Sequence, residues 1–363
     1  MTAPAEIQAE NFDEKLPEVP NAEGVFIVWT GEKPAYLAKS GMLRRRMLRV
    51  LRPGSTGRSL NLRGLATSVQ YWLTGSRFES GLLHYELAKR HYPDIYLKLV
   101  KLRFPSYVRL LLTNPFPRTQ VSTRIGSSKA VNYGPFRTRA SAELFETQML
   151  DLFQIRRCLE DLAPHPDHPG CMYGEMNRCL RPCQQLVDIS EYQSEVGRVE
   201  DFMRHNGGPL LHTIQSARDR LSEEMDFEEA ARQHKRIERI QELLSLRDDL
   251  ACDIEELRGV AVTASANPGS VNLRLIWKGF WQERQDFALQ SDVSLDRRLR
   301  EWLESLEPRA GMQQERQEHL ALLAKWKYSS WRDGEWIAIE SVEKPPYRKL
   351  TKAISRVLAA NSG

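Results

Sequence analysis

Four of the five cysteines crowd into one short stretch, at positions 158, 171, 179 and 183, and only Cys252 stands apart. Such density suggests a fold that wraps the stretch so that the sulfurs share a partner, the plainer reading being four unrelated buried thiols. No basic, apolar, small-residue leader is read at the N-terminus, so a cytoplasmic protein is expected, and there thiols stay reduced. Clustered reduced thiols point to a metal centre. The spacers are twelve, seven and three residues, with no Cys-x-x-Cys knuckle. That departs from a standard zinc ribbon, and four thiolates can equally hold an iron–sulfur cluster. Spacing alone leaves zinc and iron–sulfur both open.

With 363 residues, 41% hydrophobic and 28% charged, the chain has room for two to four small globular domains. No apolar stretch approaches the roughly 18 residues that cross a bilayer, so no membrane partner is expected. Net charge is only +4, which by itself does not argue for nucleic acid. Its distribution does. From Lys33 to Phe78 there is no Asp or Glu, while Lys33, Lys39, Arg44, Arg45, Arg46, Arg49, Arg52, Arg58, Arg63 and Arg77 fall in that window. Such a basic island in a near-neutral protein is an electrostatic footprint for a polyanion such as DNA. The plainer reading is a solvated helix surface.

The order of patterns predicts an α+β, multidomain fold. Residues 1–23 are acidic and proline-bearing and read as a flexible N-terminal arm. Within 24–103, a β-rich run at 24–29, a turn at 31–34 and a returning strand at 35–38 form a hairpin. A helix follows at 42–51 on the spacing of Leu43, Met47, Val50 and Leu51, and another near 79–91, stopped by Pro93. Residues 104–157 read as connecting strands and a helix, and 158–200 as the four-cysteine segment. Within 205–248, amphipathic helices at 211–225 and 228–246 flank Asp226-Phe227-Glu228-Glu229. Asp226 can cap the second helix with Glu229 as its capping-box partner, giving an αα-hairpin. Its apolar face, which includes Leu221, Met225, Phe227, Ala230, Ala231, Ile237, Ile240 and Leu244, is more than two short helices can bury alone. Residues 250–363 read as a C-terminal α+β domain whose role is not legible. It opens with a β-meander at 259–265, 271–277 and 281–289, turned at Asn267-Pro268-Gly269 and Lys278-Gly279.

Four features stand in a telling order: Gly24-Val25-Phe26 with Ala35-Tyr36-Leu37-Ala38-Lys39 and Leu43-Arg44-Arg45-Arg46; Asn132-Tyr133-Gly134-Pro135-Phe136 followed by Phe153-Gln154-Ile155-Arg156-Arg157-Cys158; the cysteine segment ending Asn177-Arg178-Cys179-Leu180-Arg181-Pro182-Cys183; and Asp226-Phe227-Glu228-Glu229-Ala230-Ala231. The series resembles the N-terminal half of the UvrC family of nucleotide-excision-repair nucleases. The first feature is similar to that family's GIY-YIG module, a small mixed sheet with helices, and the last to its UVR motif. The resemblance spans roughly residues 24–247. Residues 250–363 show neither the RNase H-like nuclease signature nor the helix-hairpin-helix repeats of that family, so the 5′-side incision is expected to be missing.

The resemblance implies a module that makes the 3′-side incision in DNA, using a tyrosine, a helix arginine and a divalent ion such as Mg²⁺ or Mn²⁺ held by a glutamate. Carried over, Tyr36 is the candidate general base, Lys39 the motif lysine and Arg46 the phosphate-stabilising arginine. Phe26 stands where a tyrosine is expected, Ala38 replaces a glycine, and Tyr96 falls where an asparagine is usual. His84 falls at the metal-binding glutamate, with Glu79 and Glu86 off register. Neutral histidine is a poor ligand for Mg²⁺ and a good one for Zn²⁺, so the site is either lost or uses a replacement metal through His84. The resemblance further implies a [4Fe–4S] cluster on Cys158, Cys171, Cys179 and Cys183, with zinc as the alternative. Arg44, Arg45, Arg49, Arg52, Arg178 and Arg181 are expected on the DNA backbone. Phe227, Ala230, Ala231 and Ile237 are expected to dock on UvrB. Three functions compete: a shortened repair nuclease, a non-cutting adapter that binds DNA and recruits UvrB, and a redox-sensing iron–sulfur regulator of DNA binding.

Overall fold

The computed structural model describes residues 3–53, 62–126, 130–288, 293–341 and 343–361; Arg58 of the basic window and Leu289 of the meander lie outside them. Three four-stranded antiparallel sheets follow one another along the chain. The first module comprises β1 (Ala5–Gln8), α1 (Phe12–Lys15), β2 (Gly24–Thr30), β3 (Lys33–Ser40), α2 (Leu43–Val50), β4 (Ser68–Leu73), α3 (Arg77–His91) and α4 (Tyr96–Val100), in sheet order β1-β4-β2-β3. β2 is central and buried on both faces. Phe26 and Val28 pack with Leu43, Met47 and Val50 of α2, while Val25 and Ile27 pack with Phe78, Leu82 and Tyr85 of α3. The predicted helix at 42–51 thus forms, with its apolar stripe against the sheet and its arginines outward.

The N-terminal stretch is not a loose arm. β1 pairs with β4, and Phe12, Leu16 and Val19 are each 2% exposed or less. A one-turn helix needs few apolar residues to anchor it, so acidic neighbours masked this packing in the sequence.

The second module has β5 (Ser106–Leu111), β6 (Thr119–Ser122), β7 (Ala130–Phe136), α5 (Arg139–Leu150), α6 (Met172–Glu175), α7 (Ile189–Arg204), α8 (Gly208–Glu223), α9 (Phe227–Ser245) and β8 (Cys252–Asp253), in sheet order β6-β5-β7-β8. The chain leaves this sheet after β7, runs through the cysteine segment and the helical hairpin, and returns as β8. The Asp226 cap forms, its Oδ1 accepting from the Glu229 amide at 3.2 Å. Glu229 itself turns to Arg232 and Gln233.

The third module holds β9 (Arg258–Ala264), β10 (Ser270–Trp277), β11 (Phe280–Ala288), α10 (Leu295–Glu304), α11 (Gln313–Lys327), β12 (Glu335–Ala338) and α12 (Tyr347–Asn361), in sheet order β11-β10-β9-β12. The expected meander is β9–β11. Its second turn has Lys278 at φ 48° and Gly279 at φ 81°, both in the left-handed region that a two-residue hairpin turn matching strand twist requires.

This third module is clamped onto the first. Phe78 of α3 stacks on Trp326 of α11 at 4.4 Å between ring centroids and meets Trp281 of β11 at 5.3 Å. Beside them, buried Glu318 of α11 accepts from the hydroxyls of Tyr85 at 2.6 Å and Tyr96 at 2.5 Å. Arg274 of β10 reaches across to Glu79 at 3.5 Å and Glu86 at 3.3 Å on α3. A charge this buried persists only when paired, so these contacts lock the two modules in one arrangement.

Candidate functional site

Strand register divides the residues expected to form a nuclease site. Tyr36 lies opposite Val28 and Lys39 opposite Val25. Side chains alternate along a strand, so Tyr36 faces α2 and Lys39 faces α3. On the α2 face, Arg46 Nη2 donates to the Tyr36 hydroxyl at 2.6 Å. That bond presents the phenol as an acceptor and leaves its own proton free to be given to a third group. Phe26 is fully buried, with its ring 5.8 Å from that of Tyr36; it serves packing where a hydroxyl was expected. Tyr71, paired with Phe26 across β2 and β4, is half-buried on the same face. The sequence reading missed it, because only the strand pairing shows that β4 adds a phenol to this surface.

On the α3 face, His84 is 8% exposed and lines a cavity of about 30 Å³ with Lys39, Arg77, Lys325, Trp326 and Trp331. Burial, then the charges of Lys39 and Lys325, pull its imidazole down to about 4. The two ammonium groups beside this neutral imidazole repel a metal cation. The off-register carboxylates do not rescue the position, since Glu79 and Glu86 both engage Arg274. Tyr96 is committed to Glu318. The structure therefore forms two separate pairs, Tyr36 with Arg46 and Lys39 with His84. Among the described residues, no three His, Cys, Asp or Glu side chains lie close enough to hold a single metal ion.

The cysteine segment has almost no regular structure beyond α6. Its path is bent by Asn177, Arg181 and Gln185, all near φ +55°, and by Gly170 at φ +73°. Non-glycine residues in this conformation are strained, and they cluster where a chain clamps a ligand. Hydrogen bonds hold the bends: Gln154 Nε2 donates to the Asn177 carbonyl at 2.7 Å, Gln184 Nε2 to that of His168 at 3.0 Å and Arg181 Nε to that of Gly174 at 2.7 Å. Cys179 and Cys183 are each 8% exposed, Cys158 is half-buried and Cys171 exposed. Burial, followed by an opposing backbone bond from Arg181 and by the fields of Cys158, Cys171 and Cys183, puts the Cys179 thiol at about 11. The four sulfurs thus act on one another, yet no three are drawn onto a single ion. One zinc would need every sulfur about 2.3 Å from a common point. Donors already reach the sulfurs: Arg156 Nη1 lies 3.5 Å from Cys158 Sγ and the Arg181 amide 3.4 Å from Cys179 Sγ. Buried Arg156 keeps Nη2 without a partner. Two N–H donors and the unpartnered Arg156 Nη2 thus lie beside a thiol set that is not drawn together around one point.

Of the expected DNA contacts, Arg45, Arg49 and Arg52 are exposed on or just beyond α2. Arg44 is half-buried and donates to the Pro17 carbonyl at 3.2 Å. Arg178 pairs with Asp151 at 2.9 Å and Arg181 braces Gly174, so both arginines brace the cysteine segment. The hairpin splits likewise. Phe227 at 66% exposure and Met225 at 76% stand out at its tip, and Ala231 is exposed. Ala230 is 8% exposed, and Ile237, at 3%, sits in the core with Ile240, Leu243 and Phe145. Ile237 is therefore not available to a partner, because the base of the hairpin packs on its own module.

Fold and site together define a three-sheet α+β protein with a four-thiol segment, a basic strand-and-helix module and a projecting helical hairpin. Residues 107–202 match the family described as UvrC/Cho excinuclease, middle domain. The chain is similar to the UvrABC system protein C of Rickettsia bellii, 25% identical over 63% of this chain and 36% of that protein. It is also similar to the UvrABC system protein C of Moorella thermoacetica, 25% identical over 74% of this chain and 43% of that protein. The matched part thus spans well under half the length of these relatives. No solved structure matches the chain. No described helix is long and apolar enough to cross a membrane.

Proposed function

We propose that this protein acts in nucleotide excision repair as a DNA-binding adapter that does not cut. The likeness to UvrABC system proteins C supports the repair role. The observation that carries the non-cutting reading is the company of His84: Lys39 and Lys325 occupy the surroundings where the resemblance requires a metal-holding carboxylate. Without a divalent ion on the leaving oxygen, Tyr36 and Arg46 can orient and neutralise a phosphate but cannot complete hydrolysis at a useful rate. Arg45, Arg49 and Arg52 supply backbone contacts.

Cys158, Cys171, Cys179 and Cys183 would hold a [4Fe–4S] cluster, which when bound would supply a fixed anionic crosslink within the segment. Arg156, whose Nη1 lies 3.5 Å from Cys158 Sγ, would offset its charge, while Arg157 and Arg181 brace the loop through Asp151 and Gly174. The exposed tip of the hairpin, Phe227 with Met225 and Ala231, is the surface for UvrB, an aromatic anchor beside a small residue that permits close approach.

The test is a nicking assay on a lesion-bearing duplex with UvrB and Mg²⁺, Mn²⁺ or Zn²⁺. No incision with any ion, together with tight DNA binding, is expected. Ion-dependent incision abolished by Arg46→Ala would overturn the adapter reading in favour of a nuclease, for which Tyr36, Arg46 and Tyr71 on one sheet face are the groups to examine.

A further inference from the structure

A cleft of about 880 Å³ lies between the first and third modules. On the first module it takes the end of β4 and one side of α3, where Glu79, Leu83, Glu86 and Arg90 recur at three- and four-residue spacing. His84 stands on the other side of that helix, and none of Tyr36, Lys39, Arg46 and His84 lines the cleft. The facing wall comes from the third module, with Arg274, Trp281, Arg309 and His319. Two buried side chains here lack partners among the described residues. Glu79, 3% exposed, has Oε2 3.5 Å from Arg274 Nη2 and leaves Oε1 with none. Arg274 reaches Glu86 at 3.3 Å and the Gln282 carbonyl at 3.5 Å, and its Nε has none. Charge-assisted bonds in good geometry run at about 2.7–2.9 Å, so every contact of this guanidinium is long. His319 adds a third group. Its Nδ1 accepts from the Trp281 amide, which puts the proton of the neutral ring on Nε2, and Glu315 stands 3.9 Å from that nitrogen.

A buried polar atom without a partner is costly, and a guest that supplies the partner recovers that cost. Here an acceptor, Glu79 Oε1, lies beside donors, Arg274 Nε and His319 Nε2. A fitting guest therefore carries donor and acceptor atoms side by side, as the edge of a nucleobase does. The cleft is many times the roughly 30 Å³ share of one water, and Trp281 gives it an aromatic wall. Lys89 and Glu315, also in its lining, offset each other at 3.3 Å. Exposed Arg90 and Arg309 bring positive charge to the lining; the Arg309 pair with Glu283 is 3.5 Å long and open to water, so it holds the guanidinium weakly. Aromatic surface with basic side chains beside it is the usual means of holding an unpaired strand. We propose that the cleft between α3 and the third module receives one unpaired nucleotide of a DNA strand, its base toward Glu79 and Arg274 and its phosphate toward the arginines. The proposal rests on the DNA-binding reading above and names the part of DNA that this cleft takes. Extruding a base is least costly where pairing is already lost, so the cleft favours DNA with a disturbed pair. Arg274, Trp281, Arg309 and His319 belong to residues 250–363, which gives the third module a role in recognition.

The experiment uses the full chain. Fluorescence anisotropy measures binding of a paired duplex, the same duplex with one mismatched thymine, and the same duplex with an abasic residue at that position. Wild type is expected to prefer the mismatched duplex about tenfold or more over the paired one, and to show no such preference for the abasic duplex. Leu83→Trp, which fills the cleft, should remove the preference and leave paired-duplex affinity unchanged. Arg309→Met should weaken the preference, and Lys349→Met, on the exposed side of α12, should change neither. Circular dichroism confirms that each variant is folded, and Arg309→Met carries the test if the bulkier variant is not. Equal affinity for paired and mismatched duplex overturns the proposal and leaves the adapter reading standing. No binding to any duplex overturns both. A mismatch preference that persists in both cleft variants, or that the abasic duplex shares, also overturns the proposal. So does thymidine monophosphate binding that Leu83→Trp abolishes when no mismatch preference exists, since the guest would then be a free nucleotide.

Discussion

Individual side chains here are governed by what surrounds them more than by their type. His84 would be unremarkable on a surface helix; beneath Trp326 and between two lysines it is held neutral. His319 shares that fate, brought to about 3 by burial and by the charges of Lys89 and Arg274 while its Nδ1 accepts from the Trp281 amide at 3.0 Å. Both folded-state values lie below the ordinary 6.5, so the unfolded chain binds more protons as pH falls. Stability is therefore full above about pH 6.5 and declines as pH drops toward 4. Each histidine should cost on the order of 2 kcal/mol between pH 7 and pH 5. Urea melts at the two pH values check this, and His84→Gln should flatten the dependence. If that variant keeps the wild-type slope, the histidine is not buried neutral. A second contrast concerns two apolar residues of one helix. Ile237→Ala should cost about 2–4 kcal/mol of stability, as a core truncation does. Phe227→Ala should leave stability within about 0.5 kcal/mol while weakening capture of UvrB in a pull-down. Equal destabilisation by the two would mean that the tip is not a free surface.

At the level of elements, the cysteine segment and the helical hairpin fold for opposite reasons. α9 is specified locally by the Asp226 cap and by an apolar stripe that packs on α8 and α5. The cysteine segment has only α6, a 3-10 turn at Pro182–Gln184 and three non-glycine residues at positive φ, so the proposed cluster would have to fix its shape. Chelation or Cys179→Ser should open the loop between 158 and 188 to limited proteolysis and leave the hairpin intact. Cleavage sites shared by loaded and stripped protein would show that the loop holds its form unaided. Purified protein should also be brown, and a colourless zinc protein would remove the cluster from the account and the redox-sensing alternative with it.

For the whole molecule, the dominant fact is the clamp between the first and third modules. Arg274 belongs to β10 and both of its carboxylate partners to α3. Removing it leaves Glu79, 3% exposed, without its counter-charge, so Arg274→Met should cost about 3–5 kcal/mol. The loss should be seen by probes in both modules, since one apolar core runs from Val25 and Phe78 through Leu320 to Trp326. Scanning calorimetry should show those modules melting together. Separate transitions for the first and third modules in wild type would contradict a shared core.

Local order was written plainly in the chain. The hairpin at β2–β3, the α2 stripe, the Asp226 cap, the meander and its Lys278-Gly279 turn follow from spacing, capping and φ preference, which act between neighbours. The thiol cluster was legible because cysteines are scarce and their grouping is conspicuous. What neighbours cannot encode was decided by tertiary packing. The N-terminal stretch looked like a tail until Phe12, Leu16 and Val19 found the face of β2. Tyr36 and Lys39 read as one site until pairing placed them on opposite faces. Ile237 read as a docking residue until the hairpin base met α5 and α7. The surroundings of His84 were set by Lys325, which lies far along the chain and comes near only when α11 covers α3. Burial and electrostatic fields depend on everything within a few ångströms, whatever its place in the sequence, so these outcomes belong to the folded molecule alone.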